Sequence, residues 1–172
     1  MEERVNLILI TTKINSENEL INEVLSFFIL KNVKFEERKA VYGGVVLFFT
    51  DSPYFAYNLL ISSVLSYPMK IYPLLSSDEL LKVLKKSEIS VKYVNCEVRG
   101  VKKDLCKELE EKIKKEIKFD RKSDIVLHIQ GIKDYYGYSV LKRNCENYSK
   151  LLENEELRKS CFSFMREKIL KI

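Results

Sequence analysis

The first half of the chain alternates between two hydrophobic patterns. Short runs rich in apolar residues predict strands, and runs with apolar residues three or four positions apart predict helices. Ser16 and Glu19 form a capping-box pair before one helical run, and Pro53 occupies the first position of the next. Two prolines exclude a helix over 67–73 and favour an edge strand. The predicted elements are strand 5–11, helix 16–30, strand 33–39, strand 41–50, helix 53–66 and strand 67–73.

This order of elements predicts a fold for residues 1–75. Strand, helix, strand, strand, helix, strand is the split pattern of ferredoxin-like domains. The two middle strands are predicted to meet at a turn near Ala40. Gly43 and Gly44 then lie inside the following strand, where paired glycines indicate a bulge or a close approach of another backbone segment.

The second half follows a different order and contains no internal repeat. Ser76 and Glu79 form another capping box, and Gly100 ends a strand. We therefore predict an α+β protein with a ferredoxin-like domain at 1–75, a second α/β domain at 76–147 and a C-terminal helical tail at 148–172. The elements predicted after residue 75 are helix 76–84, strand 91–99, helix 102–118, strand 125–130, strand 135–141 and helix 148–170.

Size and composition indicate a globular protein. The 172 residues are 46% hydrophobic and 32% charged, with 5 Gly and 3 Pro, which excludes collagen-like, low-complexity and disordered classes. Apolar runs such as 45–49 are far shorter than the roughly 20 residues that span a bilayer. The N-terminal Met-Glu-Glu-Arg is unlike a signal peptide. We therefore expect a soluble, cytoplasmic protein without membrane contact.

The net charge of +5 is unevenly distributed along the chain. Residues 1–89 hold 10 Lys+Arg and 11 Asp+Glu, a net of −1, whereas residues 90–172 hold 20 and 14, a net of +6. Such asymmetry favours a module that faces a polyanion, most often a nucleic acid, joined to a neutral module. A lysine-rich surface that merely keeps the protein in solution is the alternative.

The cysteines and the single histidine predict no metal site. Four cysteines occur without a C-x-x-C pair, and in a reducing cytosol we expect them to be small buried hydrophobic residues without a metal or redox role. His128 lies in an alternating strand, so we interpret it as a strand-face imidazole and not as a catalytic base. The four cysteines are Cys96, Cys106, Cys145 and Cys161.

Motifs for catalysis are missing from the sequence. It contains no G-x-G-x-x-G, no G-x-x-x-x-G-K-[ST] and no G-x-S-x-G. The adjacent carboxylates Glu36-Glu37 and Glu110-Glu111 are interpreted as surface charge, because neighbours in a strand point to opposite faces. We therefore expect no enzyme, no catalytic residue, no cofactor and no metal.

Basic residues at the ends of predicted elements are the candidate binding groups. They cluster where a helix starts after Gly100, before the strand at 125 and after the strand that ends at 141. Cations at strand ends and helix starts can converge on one surface and hold phosphates. The candidate RNA-binding residues are Arg99, Lys102, Lys103, Arg121, Lys122, Lys142 and Arg143.

Two further groups of side chains have competing interpretations. Lys112 and Lys115 stand four residues after glutamates on the long helix, so we expect them to form ion pairs and not to contact RNA. Tyr135, Tyr136 and Tyr138 either stack on bases or, as is more common for strand aromatics, pack inside the domain.

Particular strings in both halves resemble a known family. The segment 76–143 resembles a THUMP domain, and the preceding residues resemble the ferredoxin-like domain that accompanies THUMP in tRNA-modifying proteins. Together they resemble the stand-alone THUMP adaptor of tRNA cytidine acetylation, over residues 5–143. The strings are Leu9-Ile-Thr-Thr, Val41-Tyr-Gly-Gly-Val-Val-Leu-Phe-Phe-Thr-Asp, Tyr72-Pro-Leu, Val94-Asn-Cys-Glu-Val-Arg-Gly, Asp120-Arg-Lys-Ser-Asp-Ile-Val-Leu-His-Ile and Tyr136-Gly-Tyr-Ser-Val-Leu.

The resemblance implies tRNA as the partner, with the THUMP domain gripping the acceptor end. It also implies that catalysis belongs to a separate enzyme, a tRNA cytidine acetyltransferase.

A ferredoxin-like regulatory or protein-interaction module without RNA binding is the alternative function, and a small enzyme with an unfamiliar site is a third possibility. The tail at 148–172 could dock on its own sheet, pair with another copy or bind the enzyme, so the oligomeric state stays open.

Overall fold

The chain forms two compact units, which the computed structural model describes over residues 3–4, 6–102 and 104–170. The first unit consists of Asn6–Pro73 and Asn144–Ile172, and the second of Met1–Val5 and Leu74–Arg143, as far as these ranges are described. In chain order the elements are β1 (Glu3–Arg4), β2 (Leu7–Thr11), α1 (Glu17–Leu30), β3 (Glu36–Tyr42), β4 (Val45–Phe49), α2 (Pro53–Ile61), β5 (Lys70–Leu74), α3 (Ser77–Lys86), β6 (Tyr93–Arg99), α4 (Asp104–Lys114), β7 (Ile125–Ile132), β8 (Tyr135–Lys142), α5 (Tyr148–Glu153), α6 (Glu155–Phe164) and a π-helical segment (Met165–Leu170).

The first sheet has the ferredoxin-like arrangement that the sequence predicts. Its strand order is β3-β4-β2-β5, and β4 pairs antiparallel with both β2 and β3. β5 lies at the edge, as the prolines around it predict. The two central strands are the most buried, and α1 covers the sheet with Phe28, whose ring meets Phe48 edge-on at 5.9 Å between centroids.

The turn between β3 and β4 lies at Gly43-Gly44, so the prediction of a turn near Ala40 is wrong. Ala40 pairs with Leu47 inside the ladder. Gly44 has a φ of +80°, and a Cβ there would lie 2.8 Å from the carbonyl oxygen of Thr12. The predicted close approach of another segment is therefore confirmed at Gly44, where glycine is needed for both the turn and the contact.

The two predicted capping boxes have different outcomes. Ser76 Oγ accepts a hydrogen bond from Glu79 N at 3.4 Å, as expected. Ser16 makes no side-chain cap, and Glu17 Oε2 instead accepts a hydrogen bond from Gly44 N at 2.9 Å. This bond from Gly44 lowers the pKa of the Glu17 carboxyl. The Glu17 carboxylate thus links the start of α1 to the β3–β4 turn.

The second sheet is mixed and has the order β1-β8-β7-β6. β6 and β7 run parallel, β7 and β8 antiparallel, and β1 pairs with β8 in parallel. Every residue of β7 is buried, and Leu109 and Ile113 of α4 are buried as well. His128 lies in the middle of β7 between Asn95 and Ser139, as the strand-face interpretation predicts.

Helix α4 is shorter than the predicted helix 102–118 and ends at Lys114. The reason lies in the segment that follows. Val91 N donates a hydrogen bond to Lys118 O at 2.9 Å, and Asp120 N donates to Val91 O at 3.0 Å. The backbone at 118–120 is thus used for pairing beside the start of β6, which excludes helical geometry there.

The cysteines form two disulfides, so the expectation of unlinked small hydrophobic residues is wrong. Cys96 of β6 is bonded to Cys106 of α4, and Cys145 is bonded to Cys161 of α6. The first pair is half-buried and the second is fully buried. Each bond joins different secondary-structure elements, which sequence spacing alone does not reveal.

The C-terminal tail packs within the first unit, which is one of the three alternatives left open by the sequence. Tyr57 Oη donates a hydrogen bond to Cys145 O at 2.5 Å. Tyr148 Oη donates to Ser63 O and accepts a hydrogen bond from Leu65 N. The predicted single helix is divided at Asn154, whose side chain caps α6 by accepting from Leu157 N. No helix of the described chain is long and apolar enough to cross a membrane.

Candidate nucleic-acid interface

Strand direction separates the predicted RNA-binding residues into two groups. The starts of β6 and β7 and the end of β8 lie together, because Tyr93 pairs with Val126 and Ile125 pairs with Lys142. Here an edge of the second sheet means the side on which its strands begin or end. The end of β6 lies at the other edge, where Arg99 pairs with Ile132. The eight residues of β7 separate these edges by about 23 Å at 3.3 Å per residue.

The first edge gathers four of the seven predicted residues, Arg121, Lys122, Lys142 and Arg143. Lys122 N donates a hydrogen bond to Asp120 Oδ1 at 2.9 Å, and Arg143 N donates to Asp124 O at 2.8 Å. These bonds fix the turn before β7 and the end of β8. Arg121, Lys122 and Arg143 are exposed.

Two further lysines, which the sequence interpretation missed, lie at the same edge. Lys92 N donates a hydrogen bond to Ile125 O at 2.8 Å, and Lys118 O accepts from Val91 N. Both side chains are exposed. Only the pairing of 118–120 with the start of β6 brings Lys118 here, so the helical pattern around it concealed its position. We name the six residues Lys92, Lys118, Arg121, Lys122, Lys142 and Arg143 the basic edge.

The basic edge carries a net positive charge. Its neighbouring carboxylates are Asp120 and Asp124, and the latter approaches Lys142 Nζ at 3.5 Å. Six cations against two carboxylates leave a net charge of +4. Solvent-exposed Lys and Arg at this density form the electrostatic pattern that attracts phosphates.

The opposite edge differs in charge and in exposure. The Arg99 side chain is 16% exposed, and its guanidinium donates to Gln130 Oε1 and Gly131 O, both at 3.2 Å, and to Glu97 at 3.0 Å. Lys102 and Lys133 line an open groove there. Arg99, Lys102 and Lys133 lie near Glu97, Asp104, Glu108 and Asp134, and with Lys103 counted from the sequence this segment holds four cations and four carboxylates, a net charge of zero. Lys103, the remaining predicted residue, lies outside the described residues.

Arg99 therefore supports the sheet by joining β6 to β7. On α4, Lys114 Nζ lies 3.9 Å from Glu110 Oε2. The ion pairs expected for Lys112 and Lys115 stay a prediction. Lys112 and Lys115 are exposed.

The tyrosines of β8 pack inside the second unit. Tyr136 is 6% exposed and Tyr138 is 2% exposed, and their rings meet at 6.2 Å between centroids. Tyr135 is half-buried. Of the two interpretations that the sequence left open, packing is confirmed for Tyr136 and Tyr138.

At the level of sequence, the chain matches no family model and no curated protein. Among solved structures it is similar to PH1313 from Pyrococcus horikoshii Ot3, with 18% identity and a TM-score of 0.57 over 81% of this chain and 56% of that chain. It also aligns with TrmN from Thermus thermophilus, with 14% identity and a TM-score of 0.47 over 78% and 45% of the two chains. A 4-thiouridine synthetase in complex with RNA and ATP aligns with 12% identity and a TM-score of 0.44 over 81% and 42%.

The similarity to PH1313 concerns the fold alone, since the two sequences share 18% of their residues. The predicted fold class, an α+β chain with a ferredoxin-like antiparallel sheet followed by a mixed sheet, is confirmed. The chain spans about half the length of the structures it aligns with, 56%, 45% and 42% of them. The seven RNA contacts stay a prediction. Four of the seven residues, Arg121, Lys122, Lys142 and Arg143, lie at the basic edge.

Proposed function

We propose that this protein binds tRNA through the basic edge and presents it to a separate modifying enzyme, a tRNA cytidine acetyltransferase. The observation that carries the proposal is the convergence of six cations at one edge of the second sheet. The resemblance of the sequence to the THUMP adaptor supports the choice of tRNA and of acetylation.

The charge of each unit supports the same assignment. The ranges of the second unit hold 18 Lys+Arg and 14 Asp+Glu, a net of +4, whereas those of the first unit hold 12 and 11, a net of +1. Phosphate contacts dominate the affinity of proteins for nucleic acids, so the more positive unit is the better candidate. The hydrogen bonds from Lys122 N to Asp120 and from Arg143 N to Asp124 hold the backbone that carries these cations, which supports a fixed register of the contacts.

Catalysis is assigned to the partner enzyme in this proposal. The sequence offers no nucleotide-binding loop and no activated nucleophile in a recognisable motif. Incubated with tRNA and an acetyl donor, the chain alone should yield no acetylated cytidine, and product should form once an acetyltransferase is added. Nucleoside analysis by mass spectrometry measures this, and product from the chain alone would contradict the adaptor role.

Two matched charge reversals test the binding surface. Arg121→Glu with Lys122→Glu should weaken tRNA binding by about 10- to 100-fold, because two phosphate contacts are replaced by repulsion. Lys112→Glu with Lys115→Glu makes the same change of charge on and just after α4 and should alter binding by less than about twofold. Filter binding at one fixed salt concentration gives both affinities, and thermal melting verifies that each variant is folded.

A third pair tests the opposite edge. Lys102→Glu with Lys133→Glu is expected to resemble the α4 control, since four carboxylates already surround these lysines. Equal losses in all three pairs would show that bulk charge alone drives binding. Failure of the unaltered protein to bind tRNA would favour the regulatory or protein-interaction alternative.

A further inference from the structure

Two exposed aromatic side chains lie beside the basic edge. Tyr93 is 42% exposed and Phe119 is 47% exposed. Over the described residues of 74–143, they are the large apolar side chains that reach solvent to this extent. Single exposed apolar residues are common on protein surfaces, but here two aromatic rings occur at the same edge of the sheet, beside a group of cations.

Backbone pairing places the two residues near each other. Phe119 forms a parallel bridge with Val91, and Tyr93 follows Val91 by two residues across a bend at Lys92. Paired segments are about 4.8 Å apart and two residues span at most about 6.6 Å, so the two Cα atoms lie within about 11 Å. Lys92 stands between Val91 and Tyr93, and Lys118 precedes Phe119, so cations flank both rings.

This combination suits unpaired nucleotides. Proteins that bind single-stranded RNA combine a positive surface for the phosphates with aromatic rings on which bases stack. In a duplex the bases are already stacked on each other and offer no free face. A protein partner would satisfy the exposed rings, but six cations call for a polyanion as well.

We propose that Tyr93 and Phe119 stack on unpaired bases of the RNA whose phosphates are held by the basic edge. This inference rests on the proposed tRNA binding and adds which part of an RNA the edge accepts. Base stacking tolerates any sequence, so the two rings select for single-stranded character and not for base identity.

The test uses three RNA probes of equal length: a single strand, a blunt duplex and a hairpin with an unpaired 3′ extension. Tyr93→Ala with Phe119→Ala should weaken binding of the single strand and of the extended hairpin by about 10-fold or more, since stacking contributes measurably at each base. Binding of the blunt duplex and the salt dependence should be unchanged. Fluorescence anisotropy on the full-length protein gives the affinities.

Two further variants separate stacking from simple packing. Tyr93→Leu with Phe119→Leu keeps apolar area but removes the aromatic face, so it should lose as much affinity as the alanine pair. Phe55→Ala removes an equally exposed ring, 44%, from the first unit and should bind every probe normally.

The outcomes distinguish this inference from the proposed function. Absence of binding to all probes by the unaltered protein defeats both. Loss of binding after Arg121→Glu with Lys122→Glu, together with full binding by the alanine pair, defeats stacking alone. Equal weakening on the single strand and the duplex, or full binding by the leucine pair, also overturns it. So does loss of acetyltransferase stimulation with unchanged RNA binding, since the rings would then contact the enzyme.

Discussion

The two units of the protein share several structural features but differ in net charge and in the burial of their disulfides. Both contain a four-stranded sheet and one disulfide. The first unit balances its charge and buries its cysteines completely, whereas the second carries a net charge of +4 and a half-buried disulfide. The two units therefore differ in their net charge and not in the number of strands in their sheets, and the more positive unit is the candidate binding unit.

The largest expected effect concerns salt. If the basic edge holds phosphates, raising salt from 50 to 200 mM should lower the affinity for tRNA by about 10³-fold. Alanine at Arg121, Lys122, Lys142 and Arg143 should reduce the slope of log affinity against log salt by about 4, one for each cation. The measurement is a salt series of binding titrations.

The control for this experiment comes from the first unit. Lys31→Ala with Lys34→Ala removes two of its cations and should leave the slope unchanged. A slope that falls equally in this variant would erase the distinction between the two units.

The next effect is on stability and compares the two disulfides. Closing loops of this size contributes about 3 kcal/mol to the free energy of unfolding for either bond. Cys96–Cys106 is half-buried and Cys145–Cys161 is fully buried. Mild dithiothreitol should therefore open the first bond alone and lower the Tm by several degrees.

Alkylation followed by peptide mass spectrometry identifies which thiols have been released. Labelling of Cys145 or Cys161 before the other pair would reverse the expected order. Four reactive thiols in the untreated native protein would show that neither bond forms.

A smaller effect separates two arginines of the second unit. Arg99→Ala removes three hydrogen bonds and leaves Gln130 with an unsatisfied oxygen, so the free energy of unfolding should fall by about 1–3 kcal/mol. Arg143→Ala alters an exposed side chain and should leave the Tm within about 1 °C while weakening tRNA binding. Thermal melting and a binding titration are measured on both variants. If Arg99→Ala weakens tRNA binding and Arg143→Ala lowers the Tm, the binding surface lies at the opposite edge.

The smallest effect is a pH dependence in the first unit. Burial raises the pKa of the Glu146 carboxyl, and its Oε2 has no hydrogen-bond partner among the residues that the structure describes. The folded state therefore favours the protonated carboxyl. This contribution to stability is complete below the ordinary pKa of 4.5 and is lost as the pH rises through the higher folded value.

Glu146→Gln should accordingly raise the Tm at pH 7 by about 1–2 °C and leave it nearly unchanged at pH 4. The exposed Glu153→Gln serves as the control and should change neither value. Melting curves at both pH values provide the measurement. A lower Tm at pH 7 for Glu146→Gln would show that the charged carboxyl is favoured after all.

The order of elements in the first unit was predictable because local signals agree with the tertiary structure there. The short apolar run of β2 becomes a buried strand, and Pro53 begins α2 as expected. The β3–β4 turn was misplaced because the β-branched Val41 and the aromatic Tyr42 extend the strand pattern up to Gly43.

The candidate site was only partly predictable, since strand direction determines which cations meet. Arg99 and Arg121 both lie at strand ends, yet the parallel pairing of β6 with β7 puts them at opposite edges. Lys118 was placed at the end of the predicted helix 102–118, and the pairing of Phe119 with Val91 interrupts that helix. The disulfides depend on contacts between elements, and those contacts exist only once the chain has folded.

The return of the chain at Asn144 makes residues 74–143 of the second unit an insertion in the first unit. Lys70 forms an antiparallel bridge with Asn147, and Ile71 N donates to Glu146 O at 2.9 Å. Antiparallel pairing brings Pro73 and Asn144 to neighbouring positions, close enough for a short hairpin loop to join them. A variant in which such a loop replaces residues 74–143 should therefore keep a continuous ferredoxin-like unit together with its C-terminal helices. A different domain could likewise be inserted between Pro73 and Asn144 without interrupting the core of the first unit.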